Sequence, residues 1–238
     1  VKSWGAAGRR RKPGSAPVAP MQPGSALKRL YSTGPIKLRD MPTLFRPDCL
    51  ALGSSTGGPQ WLVKVFQMMG KVTNMPVFVT QHMPATFTTI LAEHLAQASG
   101  MPAAEAKDKE PVTPGRIYVA PGDFHMTVAV EGGRKVLHLD KNPPENFCRP
   151  AVDPMLRSLA KAYGGKVMVM MLTGMGQDGA KGSKEIVDAG GVVAAQDEAT
   201  SVVWGMPGAV TSAGLCTAVL PLSDIGPFLR KTISRMAA

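Results

Sequence analysis

From residue 48 onward the chain alternates short apolar runs with stretches of about ten residues whose apolar positions recur at helical spacing. Residues 48–53 (DCLALG) read as a buried strand, followed by a glycine-rich turn and a helix over 60–69. Further strands are expected at 76–80 (PVFVT), 116–120 (RIYVA), 166–172, 192–195 and 216–219. Helices are expected at 87–98, 152–163, 180–189, 207–212 and near 223–236. Residues 126–130 and 135–139, joined by Glu131-Gly132-Gly133-Arg134, read as a β-hairpin. Such alternation implies βαβ units, because parallel strands need a crossover and the helices then cover both sheet faces. The fold class is therefore α/β: a doubly wound, mostly parallel sheet with helices on both faces and an inserted β-hairpin.

The 238 residues carry a formal net charge of +10, which raises the question of a nucleic-acid partner. Its location answers it. Residues 1–45 hold nine bases and one acid, so this segment alone is +8 and residues 46–238 are only +2. Six prolines and five glycines, with no apolar periodicity, mark 1–45 as a basic Pro/Gly-rich disordered linker or arm, and leave 46–238 as the globular domain. No nucleic-acid partner is expected. The apolar run at 167–172 is far short of a bilayer span, so no membrane insertion is expected. Cys49, Cys148 and Cys216 lack metal-type spacing and cannot all pair within one chain, which points to a reducing, cytoplasmic setting.

The first chemical signal is Gly53-Ser54-Ser55-Thr56-Gly57, a G-x-S-x-G run between a strand and a helix. A sharp strand-to-helix turn exposes the Ser55 hydroxyl, and the Thr56 amide at the helix start faces a developing oxyanion. The same amides would equally cradle a phosphate. Of four histidines, His94 falls within a helix, His138 within the hairpin, and His125 at the hairpin's start, where it would line a pocket. His82 follows the 76–80 strand by two residues, and Asp178 lies in the loop after the 166–172 strand. Ser55, His82 and Asp178 thus sit past the carboxyl ends of three strands, where open α/β sheets build their sites. Their order differs from the Ser…Asp…His of α/β-hydrolases.

One alternative is specific. Gly174-Met175-Gly176-Gln177-Asp178-Gly179 is a literal G-x-G-x-x-G between strand and helix, which reads as a dinucleotide- or phosphate-binding loop. Against it, Asp178 would put a carboxylate where the pyrophosphate belongs.

Six runs together carry a family resemblance: GSSTGGP (53–59), TQHMP (80–84), VAPGDFHM (119–126), RPAVDPM (149–155), LTGMGQDGAKG (172–182) and QDEATSVVWGMPGA (196–209). The chain resembles the catalytic domain of the chemotaxis protein-glutamate methylesterases over essentially all of residues 48–225. That resemblance implies a serine hydrolase with nucleophile Ser55, base His82 and orienting acid Asp178, with the amides of Thr56 and Met175 as oxyanion donors. It implies no cofactor and no metal. The substrate implied is a γ-glutamyl methyl ester on the cytoplasmic helices of a methyl-accepting chemoreceptor, with deamidation of receptor glutamines at the same site. Ser54 and Gln177 stand where relatives often carry Ala and Asn, and neither change removes a catalytic group. The family normally carries a phosphorylatable receiver domain upstream, which these 238 residues do not include.

Three side chains are weaker candidates for substrate contact. Met83 and Met175 flank the loops of the triad and would form a soft apolar rim, or serve ordinary packing. Arg149 would contact substrate backbone or acidic receptor side chains, or form a structural ion pair.

Overall fold

Residues 36–71 and 75–234 are described by the computed structural model, so the expected arm over 1–45 lies mostly outside the described residues. Within the described part of that arm, residues 36–45 hold neither helix nor strand. There the Arg39 amide donates to Cys216 O at 2.8 Å, and Met41 and Phe45 pack against the core.

The main sheet has seven strands: β1 (Cys49–Ser54), β2 (Val77–Gln81), β3 (Ala103–Glu105), β4 (Ile117–Val119), β7 (Val167–Met171), β8 (Val192–Gln196) and β9 (Cys216–Leu220). Their spatial order is β3-β4-β2-β1-β7-β8-β9, with every pairing parallel. β5 (His125–Glu131) and β6 (Arg134–Asp140) form the separate antiparallel hairpin. The helices are α1 (Gly58–Met69), α2 (Phe87–Ser99), α3 (Val152–Tyr163), α4 (Ala180–Asp188), α5 (Met206–Ser212) and α6 (Leu222–Ser234).

Because central strands bury both faces, successive residues feed two separate cores. Leu50 and Leu52 of β1 join Val77, Val79, Met168 and Met170 beneath α1, α2 and α6. Cys49 and Ala51 join Phe78, Val169 and Met171 on the opposite face, beneath α3, α4, α5 and the hairpin. Leu52 is wholly buried, and truncation to Ala there costs about 2–5 kcal/mol through the cavity it leaves.

Every expected strand and helix is present, with ends shifted by a residue or two. The sheet has one strand more than the sequence pattern indicated. β3 is a three-residue, half-buried edge strand of sequence AAE, too short and too polar to show a period. Among the described residues, no helix is long and apolar enough to cross a membrane.

The strand order fixes where a site can form. The chain steps outward from β1 to β2 and on to the edge strand β3, fills β4 between those two, then returns to place β7 on the other side of β1. β1 and β7 therefore flank a topological switch point, and the loops beyond their carboxyl ends diverge to leave a crevice.

Candidate active site

Ser55 follows β1, His82 follows β2 and Asp178 lies in the loop after β7, so three adjacent strands deliver the three side chains to one edge. The His82 amide donates to Ser54 O at 3.1 Å, and the Ser55 amide donates to Thr173 O at 3.0 Å. The β7–α4 loop approaches Ser55 so closely that a Cβ on Gly174 would lie 2.9 Å from Ser55 Cβ. Any other residue there would push the loop away, and with it the neighbouring Met175 amide.

Asp178 is buried and saturated with donors. His82 Nε2 donates to Oδ2 at 2.6 Å, as does the Val152 amide at 2.6 Å. The Asp153 amide and Asn146 Nδ2 donate to Oδ1, each at 3.0 Å. Val152 and Asp153 open α3, so the carboxylate also caps that helix from another loop, where the helix field favours negative charge. Burial pushes the Asp178 carboxyl upward, but the His82 hydrogen bond, the two amides and the imidazole's charge outweigh it and hold it below the usual range.

An ionised carboxylate only accepts, so Nε2 of His82 carries the proton and Nδ1 is the free lone pair. That nitrogen lies 3.3 Å from Cys148 Sγ. Burial and the Asp178 charge raise the Cys148 thiol above its ordinary value, keeping it protonated, so the thiol donates to Nδ1. The structure thus joins His82 to Asp178 and brings Ser55 to the same edge, but the Ser55 hydroxyl forms no hydrogen bond to His82 among the described residues. Cys148 occupies that position. Triad hydrogen bonds in unliganded sites are commonly open and tighten with substrate.

The other expected residues divide. Met175 is 65% exposed at the site's edge, whereas Met83 is half-buried against the core. Thr56 follows Ser55 on the exposed side of the turn. Arg149 gives Nε and Nη2 to Asp123 Oδ1 at 3.1 and 2.5 Å, and Nη1 to the carbonyls of Lys141 and Asn142. The guanidinium is spent on the base of the hairpin. His125 lines a cavity between the hairpin and α3, away from Ser55; its side chain is itself 2% exposed, bonding Pro143 O through Nε2 and accepting the Ala151 amide on Nδ1. His94 is exposed on α2, and His138 pairs with Glu131 on the hairpin.

Two amide side chains escaped the sequence reading. Gln81 ends β2 and is 2% exposed; its Nε2 donates to Ser55 O at 2.9 Å and His82 O at 3.0 Å, while Oε1 accepts from Ser54 Oγ at 2.7 Å. Asn146 bridges Asp178 and Asp153. Gln81 stood beside His82 in the TQHMP run, a signal within reach. Asn146 lies outside every motif.

A family model described as CheB methylesterase matches residues 50–229. Among curated relatives, the protein-glutamate methylesterase/protein-glutamine glutaminase of Azospirillum brasilense is 57% identical, covering 100% of this chain and 62% of that protein. A protein of the same name from Rhodospirillum centenum is 54% identical, covering 100% of this chain and 64% of its own length. The chain therefore spans less than two thirds of these relatives. The crystal structure of the Thermotoga maritima CheB methylesterase catalytic domain superposes with a TM-score of 0.73 at 40% identity, over 78% of this chain and 98% of that one.

Proposed function

Because the chain belongs to the CheB methylesterase family, we propose that it is a serine hydrolase. It demethylates γ-glutamyl methyl esters on the cytoplasmic helices of methyl-accepting chemoreceptors, releasing methanol, and deamidates receptor glutamines. The observation that carries this reading is the 2.6 Å hydrogen bond between His82 and an ionised, buried Asp178 at the edge that also bears Ser55.

In the proposed reaction Ser55 Oγ attacks the ester carbonyl carbon and its proton passes to His82 Nδ1. For this the imidazole exchanges its contact with Cys148 for the Ser55 hydroxyl. Asp178 holds Nε2–H and stabilises the imidazolium that forms. The amides of Thr56 and Met175 receive the oxyanion of the tetrahedral intermediate. The imidazolium then protonates the departing methoxide, methanol leaves, and an acyl-serine remains. Water, deprotonated by His82, attacks that ester; the imidazolium returns the proton to Ser55 Oγ as the acyl C–O bond breaks, and a glutamate side chain is freed. A glutamine follows the same course with ammonia as leaving group, because its carbonyl passes through the same kind of oxyanion. Substrate, water and these side chains supply every atom required.

Met175 and Met83 form a soft apolar rim for substrate helices in this account, and Arg149 borders it. Residues 1–45 serve as a basic linker to the catalytic domain, in a cytoplasmic setting. The dinucleotide- or phosphate-binding alternative is not favoured, since the carboxylate of the GMGQDG loop is paired with His82 where a pyrophosphate would have to enter.

The test is methanol release from methylated receptor. Wild-type protein releases it and Ser55→Ala falls by about 10⁴-fold or more. Undiminished release by a folded Ser55→Ala protein would remove the serine mechanism.

A further inference from the structure

Between the hairpin and α3, residues 145–148 supply no group to the reaction above, yet two of their side chains touch the His82–Asp178 couple. The Glu145 amide donates to Cys148 O at 3.1 Å and the Cys148 amide to Glu145 O at 2.9 Å, closing a two-residue turn. Asn146 and Phe147 both take positive φ, 51° and 64°, as a type I′ turn requires. Asparagine suits the first position. Phenylalanine at the second, where glycine is the usual occupant, is strained, and its ring is fully exposed, so no packing of the ring offsets that strain. What holds the turn is polar. Arg157 of α3 grips the Glu145 carboxylate through both terminal nitrogens, and Cys148 meets His82 Nδ1.

The consequence of this backbone is where Asn146 points. Its Nδ2 lies 3.0 Å from Asp178 Oδ1 and 3.0 Å from Asp153 Oδ2, so one neutral NH₂ group serves two buried carboxyl groups. Asp153 in turn accepts the Gly182 amide at 2.7 Å. We infer that Asn146 is a positioning residue for the hydrolytic site: it fixes the Asp178 carboxylate for His82 and holds it apart from Asp153. This rests on the serine-hydrolase reading, and the chemistry follows from the donors. Without Asn146, Oδ1 of Asp178 loses a neutral donor and faces Asp153 unshielded. The carboxylate's charge is then shared among fewer donors and its pull on the His82 imidazole is stronger. The other titratable or charged groups facing the couple are Glu145 and Cys148 of the turn, Asp153 and Arg157 of α3, and His125 of β5, which acts on Glu145.

The experiment measures the rate at which a fluorophosphonate labels Ser55 as a function of pH, alongside methanol release from methylated receptor. The variants are Asn146→Gly, which keeps the left-handed backbone while removing the amide, and Asn146→Asp, which adds a third carboxylate. Asn146→Gly is expected to label about 10- to 100-fold more slowly, as a misaligned couple does. Its acid limb is expected to move up by about half a pH unit, and Asn146→Asp further in the same direction. A melting temperature lowered with an unmoved pH limb and wild-type labelling would reduce Asn146 to a structural role and overturn the proposal. Wild-type labelling without methanol release would refute the receptor reading while leaving the role of Asn146 standing on the labelling data. Absence of Ser55 labelling in the wild type would overturn both.

Discussion

On the serine side of the site, the end of β1 is tied to its neighbours by neutral groups. Gln81 joins Ser54, the Ser55 carbonyl and the His82 carbonyl, Thr173 accepts the Ser55 amide, and the Ser55 hydroxyl is left out of this network. On the aspartate side, α3 and α4 cap one another with charge: Asp178 receives the first amides of α3, and Asp153, in the first turn of α3, receives the Gly182 amide of α4. The two carboxyl groups share Asn146 and are both buried, yet they respond oppositely. Burial, partly offset by Gly182, and the neighbouring Asp178 charge push Asp153 upward, whereas His82 and the α3 amides hold Asp178 down. The imidazole is the difference. A buried carboxyl with a basic partner and two helix amides is held below its ordinary range and can orient a base; its neighbour, with one helix amide and a like charge, is pushed above that range. The serine side is built to position a group that remains free, and the aspartate side to keep a charge in place.

This contrast is most severely tested by Asp178→Ala. Four donors lose their acceptor at once, so we expect a loss of about 3–5 kcal/mol in a thermal melt, together with a fall in turnover of about 10⁴-fold. A near-native melting temperature would mean that the charged half is not what holds α3 and α4 together. Gln81→Ala should cost less, about 2–3 kcal/mol, because the groups it leaves unpaired are neutral. An equal or larger loss than that of Asp178→Ala would reverse the ranking of the two halves.

The opposite responses of the carboxyl groups have opposite signs in stability. Asp178, held low, contributes stability that is present above the ordinary carboxylate range near ~3.9 and is lost as pH falls through its depressed value. Asp153, held high, binds its proton more tightly folded than unfolded, so its contribution declines as pH rises from that range through its raised value. The melting temperature of Asp153→Asn, measured relative to wild type, should therefore improve between acidic and neutral pH. A relative stability that worsens over that interval contradicts the assignment. The smallest effect belongs to Ser55→Ala, whose stability change should stay within about 0.5 kcal/mol, since that hydroxyl holds nothing in place.

The alternation of apolar runs carried nearly all of the fold, because strands buried on both faces and helices of several turns leave strong periodic marks. β3 left none: three residues at a sheet edge need no apolar stripe. Ser55, His82 and Asp178 were legible because each follows a recognisable strand, and strand ends in a parallel sheet must share an edge. The turn at 145–148 was not legible. Asn-Phe is a poor hairpin signal, and the contacts of Asn146 with Asp178 and of Cys148 with His82 span 32 and 66 residues of sequence. The reciprocal capping of α3 and α4 is hidden for the same reason, since Asp178 serves a helix that begins 26 residues before it. Arg149 shows the converse, a residue conspicuous in its motif whose side chain is spent on Asp123 and two carbonyls.

Cys148 Sγ lies 3.3 Å from Nδ1 of His82, where it would rival Ser55, the proposed nucleophile, and this makes a decisive measurement possible. Wild-type protein is treated with a fluorophosphonate or with methyl-ester substrate under acid quench, and the modified peptide is identified by mass spectrometry. The account predicts a single adduct on the Ser55 peptide, undiminished in Cys148→Ala. An adduct on Cys148 with Ser55 unmodified would contradict it.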